Sequence, residues 1–259
     1  MRQEESPLSD YVREAYRVVE YGKQKGVILR VMGAAALRIH CPKYSSLHQA
    51  LGRELTDLDF AGYESQSDRV EKAFVDLGYE AKQYLSAMME RGLRYRKFFY
   101  DARNKRMADV FLDKLAMCHE IVFQERLEID YPTLSLADLL LTKMQIVKLT
   151  EKDVKDSTIL LLEHDVGSDD KDTINSDYIS KLLSDDWGFY YTVIANLEKI
   201  GQRVDMFPQI SDVEKQRVKQ NVDFLLIAIN ERPKSFRWKM RARIGTKKQW
   251  YNDVEEVVR

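Results

Sequence analysis

Ten residues, Arg53-Glu-Leu-Thr-Asp-Leu-Asp-Phe-Ala-Gly62, constrain the fold of this chain more than any other stretch. Asp57 and Asp59 alternate with Leu58 and Phe60, a period of two. In a β-strand this places both carboxylates on one face and both apolar groups on the other. Adjacent carboxylates repel unless a cation lies between them, and hard divalent cations prefer clustered oxygen ligands. Upstream, the apolar run Ile28-Leu-Arg-Val-Met32 predicts a strand, and Gly33-Ala-Ala-Ala-Leu-Arg-Ile-His40 predicts the start of a helix. A strand, a glycine and a helix amino end make an anion site, because free backbone N–H groups and the helix dipole both face the turn. An anion cradle beside a metal-binding carboxylate pair is what handling a nucleoside triphosphate requires.

Around this centre the chain changes character once. Helical spacing of Val12, Ala15, Val18, Val19 and Tyr21 predicts a helix from about Leu8 to Lys25, stopped at Gly26. Cys41–Leu51 reads as a loop that can include a helical turn, placed as a flap over a bound ligand. A strand over Asp57–Tyr63 and an amphipathic helix over Gln66–Leu77 follow. Leu93–Tyr100 and Lys105–Asp113 read as strands joined by a turn at Asp101-Ala-Arg-Asn104, with shorter strands near Glu120–Val122 and Leu127–Ile129. After Pro132 the period becomes helical. Ser135-Leu-Ala-Asp138, Thr150-Glu-Lys-Asp153 and Ser211-Asp-Val-Glu214 look like capping boxes opening helices over about 135–149, 151–164 and 211–231. Val166–Thr173 reads as an Asp-rich loop, with further helices near 175–185 and 187–203. The expected class is α+β: a mixed sheet flanked by helices over residues 1–132, then a helical domain over 133–259.

Composition narrows the setting. The 259 residues carry 41 Lys and Arg against 42 Asp and Glu, so any nucleic-acid contact must come from a local patch. Two cysteines far apart, Cys41 and Cys118, fit a reducing cytosol, and a cytoplasmic location is expected. The polar amino terminus has no apolar signal core, and no apolar run is long enough for a bilayer, so no membrane partner is expected.

A third carboxylate enters with Met107-Ala-Asp-Val-Phe-Leu-Asp113. An acid in mid-strand between apolar neighbours is costly to bury unless paired or metal-bound. If this strand lies beside Asp57 and Asp59, Asp109 completes a set that can hold two Mg²⁺ ions about 3.5–4 Å apart, suited to in-line displacement at phosphorus. Asp57 and Asp59 would hold the ion carried on the triphosphate. Asp109 would help bind the second and could accept the proton of the attacking hydroxyl. Asp113, at the strand end, is the weaker candidate. The bland alternative is that these acids are edge residues guarding against aggregation.

Gly33-Ala34, then Arg53-x-x-Thr-Asp57-Leu-Asp59-Phe, then Ala-Asp109-Val resembles the pattern of the nucleotidyltransferase fold superfamily. The closer likeness is to AbiEii-type nucleotidyltransferases, some of which are toxins of toxin–antitoxin pairs. It is carried also by Leu139-Leu-Leu-Thr-Lys143-Met-Gln and the charged turn Glu151-Lys-Asp153-Val-Lys-Asp156, and covers roughly residues 25–165. The resemblance implies a nucleotidyltransferase-fold sheet and transfer of a nucleotide from an NTP to a hydroxyl on RNA, protein or a small molecule. The cofactor would be Mg²⁺, in two ions, and an antitoxin protein is a possible partner. Gly33 and Ala34 would meet the phosphates through backbone N–H groups, with Arg53 in the same nucleotide-binding set. Lys143 would neutralise triphosphate charge as a point cation. Asp153 and Asp156, three apart on a helix face, would orient Lys143 or the nucleotide. A solvated helix position for Lys143, and a capping role for Asp153, are the competing readings. Ala34 stands where many members have Ser or Gly, and the Cys41–Gly52 segment lengthens the gap to Asp57. Both leave open a non-catalytic nucleotide or nucleic-acid binding module on the same fold. The expected nucleotide site is a cleft between the two domains.

Two further features carry weaker chemistry. His40-Cys41 and Cys118-His119 have zinc-ligand types without the usual spacing, so buried thiols are the expected reading. The stretch Lys234–Trp250 is basic with interleaved Trp, bringing Arg237, Lys239, Arg241, Arg243, Lys247 and Lys248 within reach of an RNA backbone. A helix anchored to the core by Trp238 and Trp250 is the alternative.

Overall fold

The computed structural model describes residues 10–82 and 95–254. The expected starts of the first helix at Leu8 and of the strand at Leu93 lie outside these. The chain forms two compact units: Met1–Ile39, Leu55–Lys114 and Phe123–Leu134 in one, and His40–Glu54, Leu115–Val122 and Ser135–Arg259 in the other.

The first unit is built on a mixed five-stranded sheet of order β1-β2-β5-β4-β3. Its strands are β1 Leu29–Met32, β2 Asp57–Gly62, β3 Glu80–Ala81, β4 Arg96–Asp101 and β5 Arg106–Leu112. β2 runs parallel to β5, and the other neighbours are antiparallel. The β4–β5 turn is closed by Asp101, whose carboxylate accepts from the backbone N–H groups of Arg103 and Asn104. Alternation sorts the two faces. Leu58, Phe60, Phe99, Ala108 and Val110 are buried on one face. Helices α1 Asp10–Gln24 and α4 Ser67–Asp76 belong to this unit. Phe74 of α4 stacks on Phe99 at 4.1 Å between centroids and meets Phe60 edge-on at 5.7 Å. Helix α2, Gly33–His40, starts where β1 ends.

The second unit is mainly helical: α3 Ser45–Ala50, α5 Leu136–Met144, α6 Glu151–Glu163, α7 Ser176–Leu183, α8 Trp187–Arg203, α9 Asp212–Glu231 and α10 Phe236–Ile244. The boxes at Thr150 and Ser211 form reciprocally, whereas Ser135 accepts from the Asp138 N–H. Three local expectations change. Leu127–Ile129 lies in turns rather than a strand. The Cys41–Leu51 stretch contains α3. The Asp-rich stretch is bracketed by two short paired strands, β8 Val166–Gly167 and β9 Ile174–Asn175; the strand expected at Glu120–Val122 is present as β7 and pairs with β6 Lys114–Ala116. Two-residue strands leave too little periodicity to read from sequence. No helix among the described residues is long and apolar enough to cross a membrane.

Candidate functional site

The acid-bearing face of the sheet is set by register. Asp59 is the Cα partner of Asp109 across the parallel β2–β5 pair, and Met32 is the partner of Asp59 across β1–β2. Asp57 lies two residues from Asp59 on the same face. The sequence-predicted trio therefore falls on one face of adjacent strands, and the end of β1 delivers Gly33 to it. Gly33 has φ +65°, a conformation that favours glycine. A Cβ there would collide with Oδ2 of Asp59. Asp59 is thus packed directly on the turn that opens α2, with Ala34 as the next residue of that helix. Asp57 and Asp59 are half-buried, and the Thr56 hydroxyl donates to Asp57 at 3.2 Å.

Asp109 differs. It is fully buried, and Nη2 of Arg96 donates to its Oδ2 at 2.6 Å. Arg96 pairs with Phe111 across the β4–β5 ladder, while Phe98 pairs with Asp109, so all four side chains share one face. The guanidinium lies 4.7 Å from the Phe98 ring centroid and 4.6 Å from that of Phe111. The sequence reading missed Arg96. The observed register puts Arg96 opposite Phe111 and so diagonal to Asp109, two residues off the pairing that a turn over Asp101–Asn104 suggests.

The donors determine how a divalent cation fits. Among the described residues, no group of three or more His, Cys, Asp or Glu is placed to hold a metal ion. Arg96 is paired with the third of the carboxylates singled out from the sequence, Asp109. Asp57 and Asp59 suit a Mg²⁺ that takes its remaining ligands from phosphate and water, the usual way this ion is held. Asp113 has a structural part instead: at φ +60° it accepts from the Glu64 N–H at 2.9 Å.

Four other predicted residues come together within the helical unit. Arg53 donates to both oxygens of Asp156, at 2.7 and 2.9 Å. Lys143 Nζ reaches Asp156 at 2.9 Å and Asp153 at 3.4 Å. Asp153 also accepts from the Thr150 hydroxyl at 2.6 Å, inside the capping box. Burial would raise the carboxyl of Asp156, but Lys143 and Arg53 beside it outweigh this and hold it below the usual range. The same carboxylates outweigh burial for Lys143 and raise its ammonium above the usual range. Two cations and two anions thus close a buried network, and Lys143 is embedded in it rather than solvated.

The basic stretch forms α10, and its aromatic residues are used for anchoring. Trp238 packs edge-on against Tyr190, and Trp250 packs against Tyr191 and donates to the Thr192 hydroxyl at 3.1 Å. Arg241 donates to the carbonyls of Gly245 and Lys248 at 2.8 Å each. Arg237, Lys239, Arg243, Lys247 and Lys248 are exposed. The residues considered for zinc have other contacts. Cys41 is buried, which pushes its thiol up, and His119 Nε2 lies 2.8 Å from the Thr192 hydroxyl.

No protein-family model matches the sequence, and a search of curated proteins finds no match. Among solved structures, the solution structure of the antibiotic-resistance factor ANT(2'')-Ia is similar over 67% of this chain and 93% of its own. The identity is 10% and the TM-score 0.40, a level that assigns neither family nor function.

Proposed function

We propose that the sheet unit binds a Mg²⁺-nucleoside triphosphate and transfers its nucleotidyl group to a hydroxyl acceptor. The observation that carries this reading is the placement of Asp57, Asp59 and Asp109 on one sheet face, with Asp59 packed on the Gly33 turn. The turn offers backbone N–H groups and a helix amino end to phosphate oxygens. Asp57 and Asp59 would hold the cation, which when bound supplies charge neutralisation on the phosphates. In the transfer, the acceptor oxygen forms a bond to the α-phosphorus and gives up its proton to water. The bond from that phosphorus to the β-phosphate oxygen breaks, and pyrophosphate leaves. The chain's own groups contribute position and electrostatics, which dominate phosphoryl chemistry. Resemblance of the Gly33, Asp57–Asp59 and Asp109 elements to the nucleotidyltransferase superfamily supports the same reading.

The test is incubation with α-labelled NTPs, Mg²⁺, and cellular RNA or protein. Label transfer that disappears in Asp57→Asn/Asp59→Asn is the expected result; absence of transfer to every acceptor class counts against it. One observation favours a second reading, a binding module without turnover: Arg96 neutralises the carboxylate that would otherwise be the third ligand. That reading predicts nucleotide binding with no label transfer.

A further inference from the structure

We infer that the outer face of α10 is a docking surface for an acidic amphipathic helix of a partner protein. The surface lies within the helical unit, so it stands apart from the nucleotide reading above. Phe236, Met240 and Ile244 are spaced four apart and therefore share one stripe of the helix. Their exposures are 79%, 45% and 46%. Other residues hold the helix in place. Ser235 caps it by accepting from the Trp238 N–H at 3.1 Å, Trp238 packs on Tyr190, and the Arg241 guanidinium lies 4.8 Å from the Trp187 ring centroid. Large apolar side chains grouped on the surface mark an interaction site, and an anchored helix loses little freedom on binding. Met240 and Ile244 also line, with Trp187 and Trp250, a groove of about 420 Å³.

Charge selects the occupant. Segment 236–248 carries six cations and no acid, and Arg237, Lys239 and Arg243 are exposed beside the stripe. A second copy of this chain would bring like charges face to face. RNA satisfies the cations but has no side chains for the apolar stripe. The nearby rings are already engaged: Trp187 stacks on Tyr191 at 5.2 Å between centroids, and Trp250 meets Tyr191 edge-on at 5.1 Å. An anionic bilayer is flat, whereas the groove is concave and Asp185 and Asp186 also line it. An acidic amphipathic helix meets both demands. Its apolar residues enter the groove, and its carboxylates reach the flanking cations.

Fluorescence anisotropy with a labelled synthetic peptide of about 16 residues, Leu at every third or fourth position and Glu at most others, tests this. Saturable binding to the full chain is expected. It should weaken about tenfold in Phe236→Ser/Met240→Ser and about tenfold in Lys239→Glu/Arg243→Glu, with the melting temperature unchanged because all four side chains are exposed. Permuting the peptide to break its Leu stripe should cost about as much. Where Phe236→Ser/Met240→Ser melts lower than wild type, Met240→Glu, which sets a like charge against the peptide, carries the test instead. A peptide that does not saturate, that binds equally when permuted, or that ignores these substitutions overturns the inference. So does tighter binding of a single-stranded oligonucleotide or of phosphatidylserine vesicles at this face, or dimerisation of the chain that Phe236→Ser/Met240→Ser abolishes.

Discussion

Gly33 and His119 show how single residues carry the account. A side chain at Gly33 meets Asp59 and must also hold φ +65°, so Gly33→Ala combines a clash with backbone strain. Such strain costs on the order of 1–3 kcal/mol. The expected result is a lower melting temperature, together with a loss of NTP affinity larger than that of Ala34→Gly, which leaves the backbone contribution in place. Equal affinities would separate Asp59 from the turn. His119 stacks on Phe189 at 5.0 Å between centroids, and burial pushes its imidazole from 6.5 down to about 4. A histidine whose folded pKa is depressed binds its proton more readily when unfolded. Stability from this residue is therefore present above about pH 6.5 and lost as the pH falls toward 4. The shift is worth roughly 3 kcal/mol. Urea melts at pH 7 and pH 5 should differ less in His119→Phe than in wild type.

Elements explain what could be read in advance. The Asp57–Phe60 strand and the Gly33 turn were legible because alternation there sits beside a second apolar run and a glycine directly before a helical pattern, and the two runs pair. The placement of Asp109 beside Asp59 needed tertiary pairing, yet the mid-strand acid already marked it. Arg96 was overlooked because one cation in a strand has many uses until the partner register is known. Leu127–Ile129 alternates like a strand but lies in turns; alternation shows what an extended chain would bury, not whether it finds a neighbour. Lys143 was ambiguous from sequence since helix position alone cannot show that Asp153 and Asp156 surround it. The α6 cap makes a direct prediction. Thr150 caps the helix and holds Asp153, so Thr150→Ala should cost about 1 kcal/mol for the cap, plus whatever Asp153 loses as a partner of Lys143. Ser211→Ala, a capping box whose Glu214 meets Tyr44 and not a buried lysine, should cost less than Thr150→Ala. Chemical denaturation of both variants checks the difference; equal costs would mean that Asp153 does not depend on Thr150.

For the whole molecule, charge is nearly balanced at −1, so association with a polyanion depends on where the cations are. Segment 236–248 has six of them and no acid, and five are exposed. If RNA is met there, binding of a single-stranded oligonucleotide should fall on the order of a hundredfold between about 50 and 200 mM salt. Arg237→Gln/Lys239→Gln/Arg243→Gln should flatten that slope, and salt-independent binding would exclude the segment. The decisive question concerns the sheet unit. Isothermal titration of NTPs, with and without Mg²⁺, on wild type and Asp57→Asn/Asp59→Asn tests it most directly. The account predicts binding that requires Mg²⁺ and vanishes in the folded variant; binding that ignores both the metal and the substitutions would contradict it.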